Sequence, residues 1–224
     1  MKKILALFLA ASVFMTNGSI AFAAESDIEI NYQETVSYGA SGEELTEGDF
    51  TYIVEENGQA TIISYNGTSE VADIPETVGD GILVTALDDE LFYEKTGVKK
   101  VIIPKYISSI GEYTDDTFYG ASDLENIEVA GGNRTYYDQN GVLFRIGASS
   151  GLPMLMKYPE ARQGESYTIP KDTNRINVCA FNECNFLKKI IIPPSVSVVD
   201  LYGFINLSNK VRPFQVLCKR QKLI

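Results

Sequence analysis

Along the second half of the chain, aliphatic residues recur two apart in short runs, three of which end at a proline. The runs are Val101-Ile-Ile103-Pro104, Ile127-Glu-Val129, Tyr167-Thr-Ile169-Pro170 and Ile190-Ile-Ile192-Pro193. Alternation of this kind predicts β-strands with one face buried. The proline fits a strand end, because it cannot donate to a ladder. An isoleucine or valine follows each proline after six residues, at Ile110, Ile176 and Val199. A phenylalanine comes next, at Phe118, Phe181 and Phe204. Three offsets coincide at 23 residues: Pro170 to Pro193, Ile176 to Val199, and Phe181 to Phe204. Phe118 falls three residues late, after an insertion around Tyr113-Thr-Asp-Asp116. One such unit cannot bury its own apolar residues; stacked units share a continuous core.

The same alternation assigns faces. If Ile190 and Ile192 point inward, Lys189 and Ile191 point outward. That parity also places Lys100, Ile102, Asn126, Glu128, Ser166 and Thr168 on the exposed strand face, which is the candidate surface for a partner. Hairpins are predicted where strand patterns flank Asn57-Gly58 and Asn140-Gly141, the second returning through Leu155 to Tyr158. Short helical or 3-10 turns fit near Leu87–Tyr93 and Cys179–Cys184.

The markers Ile-Pro, Ile or Val six later, Ala180-Phe181-x-x-Cys184 and Leu187-x-x-Ile190-x-Ile192-Pro193 resemble the bacterial BspA-like (Treponema-type) leucine-rich repeat. Two longer pieces, from Phe50 to Pro75 and from Asn133 to Pro170, resemble linking modules of the same family. The resemblance covers roughly residues 50–208. It implies a mainly β leucine-rich-repeat solenoid, with short parallel strands on one face, short helical or 3-10 turns elsewhere, and β-hairpin insertions. It also implies a secreted or surface-attached bacterial protein, often adhesive. After Phe204 the expected Leu-x-x-Ile-x-Ile-Pro does not recur; the chain reads Leu207-Ser-Asn-Lys-Val-Arg-Pro213 instead. Residues 209–224 are accordingly expected to form an aberrant basic tail, and the chain to be a fragment of a longer surface protein.

The first residues have another purpose. Met1-Lys2-Lys3, an apolar run from Ile4 to Phe14 and then Ala21-Phe22-Ala23 make a secretory signal peptide, with cleavage expected after Ala23. The run is too short to cross a bilayer of about 30 Å as a helix, and no transmembrane segment is expected. Residues 24–49, acidic and rich in small residues, read as a flexible lead-in. The formal net charge of −11 is uneven. Residues 24–98 hold 18 acids and one base, residues 99–208 hold 12 acids and 11 bases, and residues 209–224 hold five bases and no acid. Such a chain lacks the basic surface that nucleic acid requires.

Catalytic chemistry is thin. With no histidine in the chain, Ser-His-Asp and Cys-His nucleophiles and histidine metal sites are excluded. Cys179, Cys184 and Cys218 form no CxxC pair, so zinc is not expected, and Cys184 reads as a small core residue. The acids at Asp88-Asp89-Glu90 and Asp115-Asp116 lack EF-hand spacing and read as solvated loops. Asn66-Gly-Thr68, Asn133-Arg-Thr135 and Asn206-Leu-Ser208 match the glycosylation acceptor but read as turns. The expectation is therefore no enzyme and no cofactor. It is a monomeric binding or adhesion module for a protein or glycan at a cell surface, or else a structural spacer without a ligand of its own.

Overall fold

The computed structural model describes residues 42–111, 115–200 and 203–204, and the backbone alone of 13–16, 19–22 and 215–218 and of Asp115 and Asp116. The cleavage position at Ala23, most of the lead-in and residues 209–214 and 219–224 lie outside the described residues. The chain divides into two units, residues 1–39 and 40–224. In the first, β1 (Val13–Thr16) and β2 (Ser19–Phe22) pair as an antiparallel hairpin.

The second unit is a mainly β solenoid of about six turns. It opens with an antiparallel meander of β3 (Leu45–Glu47), β4 (Phe50–Val54) and β5 (Ala60–Tyr65). Pairing thus begins at Leu45, inside the expected lead-in, because Leu45 and Glu47 sit opposite Tyr52 and Phe50. Thereafter each turn gives one strand to each of two series. Between them come β6 (Val71–Asp73) and β7 (Thr77–Val78), the latter an antiparallel partner of β8 (Ile82–Leu87). The first series runs through β5, β8 and β10 (Ser109–Ile110), all parallel. The second runs through β6, β9 (Lys100–Ile103) and β11 (Asn126–Val129), also parallel. The one helix among the described residues is a 3-10 turn, Asp115–Phe118; the segments near Leu87–Tyr93 and Cys179–Cys184 are turns.

A second antiparallel meander then interrupts both series: β12 (Tyr136–Gln139), β13 (Val142–Ile146) and β14 (Pro153–Lys157). The two-residue Asn140-Gly141 loop has φ values of 53° and 80°, the pair of left-handed residues that a tight hairpin needs. After it the first series resumes as β14, β16 (Arg175–Ile176) and β18 (Val198–Val199). The second resumes as β15 (Ser166–Thr168), β17 (Lys189–Ile192) and β19 (Gln215–Cys218). The sixth turn therefore closes on Gln215–Cys218, within the segment assigned by the sequence to a tail beyond the repeats. Val216 registers with Ile190, 26 residues earlier rather than 23. A three-residue insertion, like the one before Phe118, hides the repeat from a fixed-period reading.

The interrupting meander is buried on both sides. Leu143 and Met156 pack into the core of the first turns, while Val142, Phe144 and Leu155 pack into that of the last turns. This explains why Val142-Leu-Phe144 has no polar alternate position. Within each core the aromatic rings stack turn upon turn. Tyr65, Phe92 and Phe118 follow one another at centroid spacings of 5.7 and 5.7 Å. Tyr158, Phe181 and Phe204 follow at 5.6 and 5.4 Å.

Where the meander breaks the stack, a carboxylate takes the role of main chain. The Glu94 N–H donates to the carbonyl of Tyr119 in the next turn at 2.7 Å. The equivalent Gly120 N–H donates to Glu160 Oε1 at 3.0 Å. The same oxygen receives Lys157 Nζ at 3.0 Å, and both side chains are almost fully buried. Burial raises the Glu160 pKa above the ordinary carboxylate range, against the lowering pull of Lys157 and of the two hydrogen bonds.

Gly141 is held by a second constraint besides its φ. A Cβ there would lie 2.5 Å from Asn126 Oδ1 and 2.9 Å from Arg162 Nη1. Gly58, at φ 77°, has nothing within 4 Å of such an atom. Gly58→Ala is expected to lose about 1 kcal/mol through backbone strain alone. Gly141→Ala is expected to lose about 1–2 kcal/mol, since the ends of the Asn126 and Arg162 side chains must also swing aside. Urea unfolding of the two variants, compared at equal m-value, measures the difference.

Candidate functional site

The eight exposed-face residues fall in two patches. On the first, parallel register sets Val71, Lys100 and Asn126 in one row and Asp73, Ile102 and Glu128 in the next. On the second, Ser166 sits beside Lys189, and Thr168 beside Ile191. The inward partners are closed off: Val101, Ile103, Ile127 and Ile190 are fully buried and Ile192 nearly so. Lys100, Ile102, Asn126, Glu128, Lys189 and Ile191 are half-buried, and Ser166 and Thr168 are exposed. The patches do not form one ladder. Past β11 the next main-chain neighbour is the hairpin, where Ile127 N–H donates to Gly141 O at 3.1 Å and Val129 N–H to Asp138 Oδ1 at 3.0 Å.

The two patches differ in charge. On the first, Lys100 Nζ lies 2.7 Å from Glu128 Oε1, which Asn126 Nδ2 also approaches at 3.5 Å. That cation is matched within the patch. On the second, the neighbouring Lys188 is paired with Glu165, whereas Lys189 belongs to no ion pair among the described residues. Beside it a groove of about 260 Å³ opens where the strands of the fourth and fifth turns reach their prolines, lined by Thr168, Ile191, Pro193, Pro194, Ser195 and Lys171. Its surface is mainly apolar. The volume is below the roughly 300–1,000 Å³ of pockets that enclose drug-sized molecules, and suits a single side chain. The sequence reading found Thr168 and Ile191 but missed Lys171 and the Pro193-Pro194-Ser195 corner. The doubled proline was the available signal; that two corners one turn apart enclose a groove is set by the stacking.

Other candidate chemistry is accounted for by structure. Neither Cys179 nor Cys184 is in a disulfide. Cys184 is buried, and desolvation pushes its pKa up to about 12, so it carries little nucleophilic thiolate at neutral pH. The side chain of Cys218 lies outside the described residues. Asn133 uses its amide fully: Nδ2 donates to Pro104 O and Ile107 O, and Oδ1 accepts from the N–H groups of Thr135 and Tyr136, at 2.8–3.1 Å. Among the described residues no group of three or more Cys, Asp or Glu side chains is placed to hold a metal ion. No helix among them is long and apolar enough to cross a membrane.

Comparison with solved structures returns the same architecture. The pneumococcal vaccine antigen PcpA superposes with a TM-score of 0.50 at 13% identity, covering 79% of this chain and 70% of that one. A leucine-rich repeat protein from Eubacterium ventriosum gives 0.46 at 19% identity, covering 72% and 62%. A leucine rich cell surface protein from Faecalibacterium prausnitzii gives 0.39 at 17%, covering 71% and 73%. No curated protein sequence matches the chain. A family model described as the BspA type leucine rich repeat region (six copies) matches residues 83–140 and 160–215. Those matched residues make up half of the sequence. The chain belongs to the BspA type leucine-rich-repeat family.

Proposed function

We propose that this chain is exported to a bacterial surface, where its strand face binds a protein or glycan partner. The observation that carries the reading is the second patch: Ile191 half-buried beside Thr168, Ser166 beside a Lys189 that is in no ion pair among the described residues, and an apolar groove at their edge. An apolar residue set among polar ones at a concave edge is the composition of a contact surface. The signal-peptide pattern of residues 1–23 supports export, and one similar structure is that of a protein described as a cell surface protein. The first patch favours a second reading for the early turns. With Lys100 and Glu128 satisfying each other, that half serves as a spacer that holds the second patch away from the surface.

The full chain, tested on a glycan array and in pull-downs against surface proteins, is expected to bind. Ile191→Asp is expected to abolish binding, and Ile102→Asp to leave it nearly unchanged. Both side chains are outward, so circular dichroism should report an intact fold for each. Binding that survives Ile191→Asp would remove the second patch from the function, and equal loss from both variants would remove the spacer reading of the first.

A further inference from the structure

The groove between the fourth and fifth turns has a complement elsewhere on the same unit. Lys171 stands at its rim, and Lys189 lies two residues before Ile191 on the same strand face, about 6.6 Å along the strand. Neither lysine is in an ion pair among the described residues. The site therefore suits one aliphatic side chain flanked by carboxylates.

Strand β3 offers that arrangement. Leu45 is 37% exposed, and Glu43, Glu44 and Glu47 around it are exposed. β3 is the terminal strand of its sheet, paired with β4 alone among the described residues. Glu47 Oε2 receives the Gly79 N–H at 2.5 Å, which fixes the strand and leaves Glu43 and Glu44 to meet outside charge. A preformed edge of this kind loses little conformational entropy on docking. Leu45 cannot reach the groove of its own chain. Its register with Tyr52 ties it to the first turn, and the strands β4, β5, β8 and β10 alone set it about 19 Å from the far side of its sheet, before the meander and the later turns.

We infer that the groove lined by Thr168, Ile191, Pro193 and Lys171 receives Leu45 of a second copy of this chain, with Glu43 and Glu44 of that copy against Lys171 and Lys189. The contact joins unlike surfaces, so each copy keeps one free donor and one free acceptor, and association continues head to tail rather than closing as a dimer. The charge distribution supports the direction: the first turns are strongly acidic, and the body that carries the groove is near neutral. The inference rests on the proposal that the second patch is a contact surface, and names what that surface takes.

Sedimentation velocity of the full chain over a concentration series tests it. A weight-average sedimentation coefficient that rises with concentration, and rises less at high salt, is expected. Lys171→Glu with Lys189→Glu should weaken the association about tenfold or more, as should Leu45→Asp. Adding Glu43→Lys and Glu44→Lys to the lysine variant should restore it. A coefficient independent of concentration, or failure of the exchanged charges to restore association, overturns the inference. If the wild type stays monomeric while Ile191→Asp abolishes capture of a surface partner, the second-copy contact is wrong and the binding surface stands. Self-association that follows the charge exchange, with no surface partner bound, gives the reverse.

Discussion

Replacing Lys157 with methionine is expected to destabilise the chain by about 3–5 kcal/mol, more than a loss of packing alone would give. Lys157 and Glu160 are almost fully buried, and they face each other at the break between the two halves of the stack. Methionine fills most of the space, so the loss comes chiefly from the carboxylate left in a low-dielectric site. The double variant Lys157→Met with Glu160→Gln should recover a large part of the loss, because the amide oxygen can still accept from Gly120 N–H. Thermal and urea unfolding of the two singles and the double give the coupling directly. The pH dependence has a definite sign. The folded-state pKa of Glu160 is raised, so between the ordinary carboxylate value and the raised one the folded chain holds a proton that the unfolded chain has released. Stability from this group is therefore greatest at low pH and falls as pH rises through that window. Glu160→Gln removes the effect, and its stability relative to the wild type should climb over the same interval. A flat difference would place the carboxylate in a more solvated setting than its burial implies.

Phe181→Ala should be of comparable size, about 3–5 kcal/mol. Its ring is fully buried, stacked between Tyr158 and Phe204 and tilted against Tyr167 at 6.1 Å. Truncation opens a cavity that the flanking rings cannot fill without leaving their own stacks. In a solenoid each turn contacts chiefly its neighbours, so the loss should concentrate in the last three turns. Hydrogen exchange is expected to accelerate at Ile176 and Ile190 and to change little at Ala60 and Ile62 in the first core. Uniform acceleration across both cores would show that the meander couples them into one cooperative unit.

Much of this fold was legible in the chain. Ile-x-Ile-Pro, the residue six later and the phenylalanine each have one structural task in every turn. Stacking demands that the task recur at the same interval, and so the period of 23 appears in the letters. The inward and outward parity of Lys189 to Ile192 followed from two-residue alternation alone. The Asn140-Gly141 hairpin was equally local, because the left-handed conformation it requires selects those residues. The sixth turn was not legible. Gln215–Cys218 has little of the consensus and arrives three residues late, and only its pairing with β17 identifies it.

The sequence by itself therefore determined the repeat and the parity of each strand, since these depend on residues within one turn and on backbone chemistry. The tertiary structure decided what depends on contact between turns. It split the exposed face at the β12–β14 meander, matched Lys100 to Glu128 while giving Lys189 no ion pair among the described residues, and buried Lys157 with Glu160 where the stack is broken. It also brought the prolines of two turns together as a groove. The Lys100–Glu128 pair and the groove arise from side chains about 20 to 30 residues apart in sequence meeting across roughly 5 Å between stacked strands, and although Lys157 and Glu160 are only three residues apart, their burial is set by the turn that packs over them.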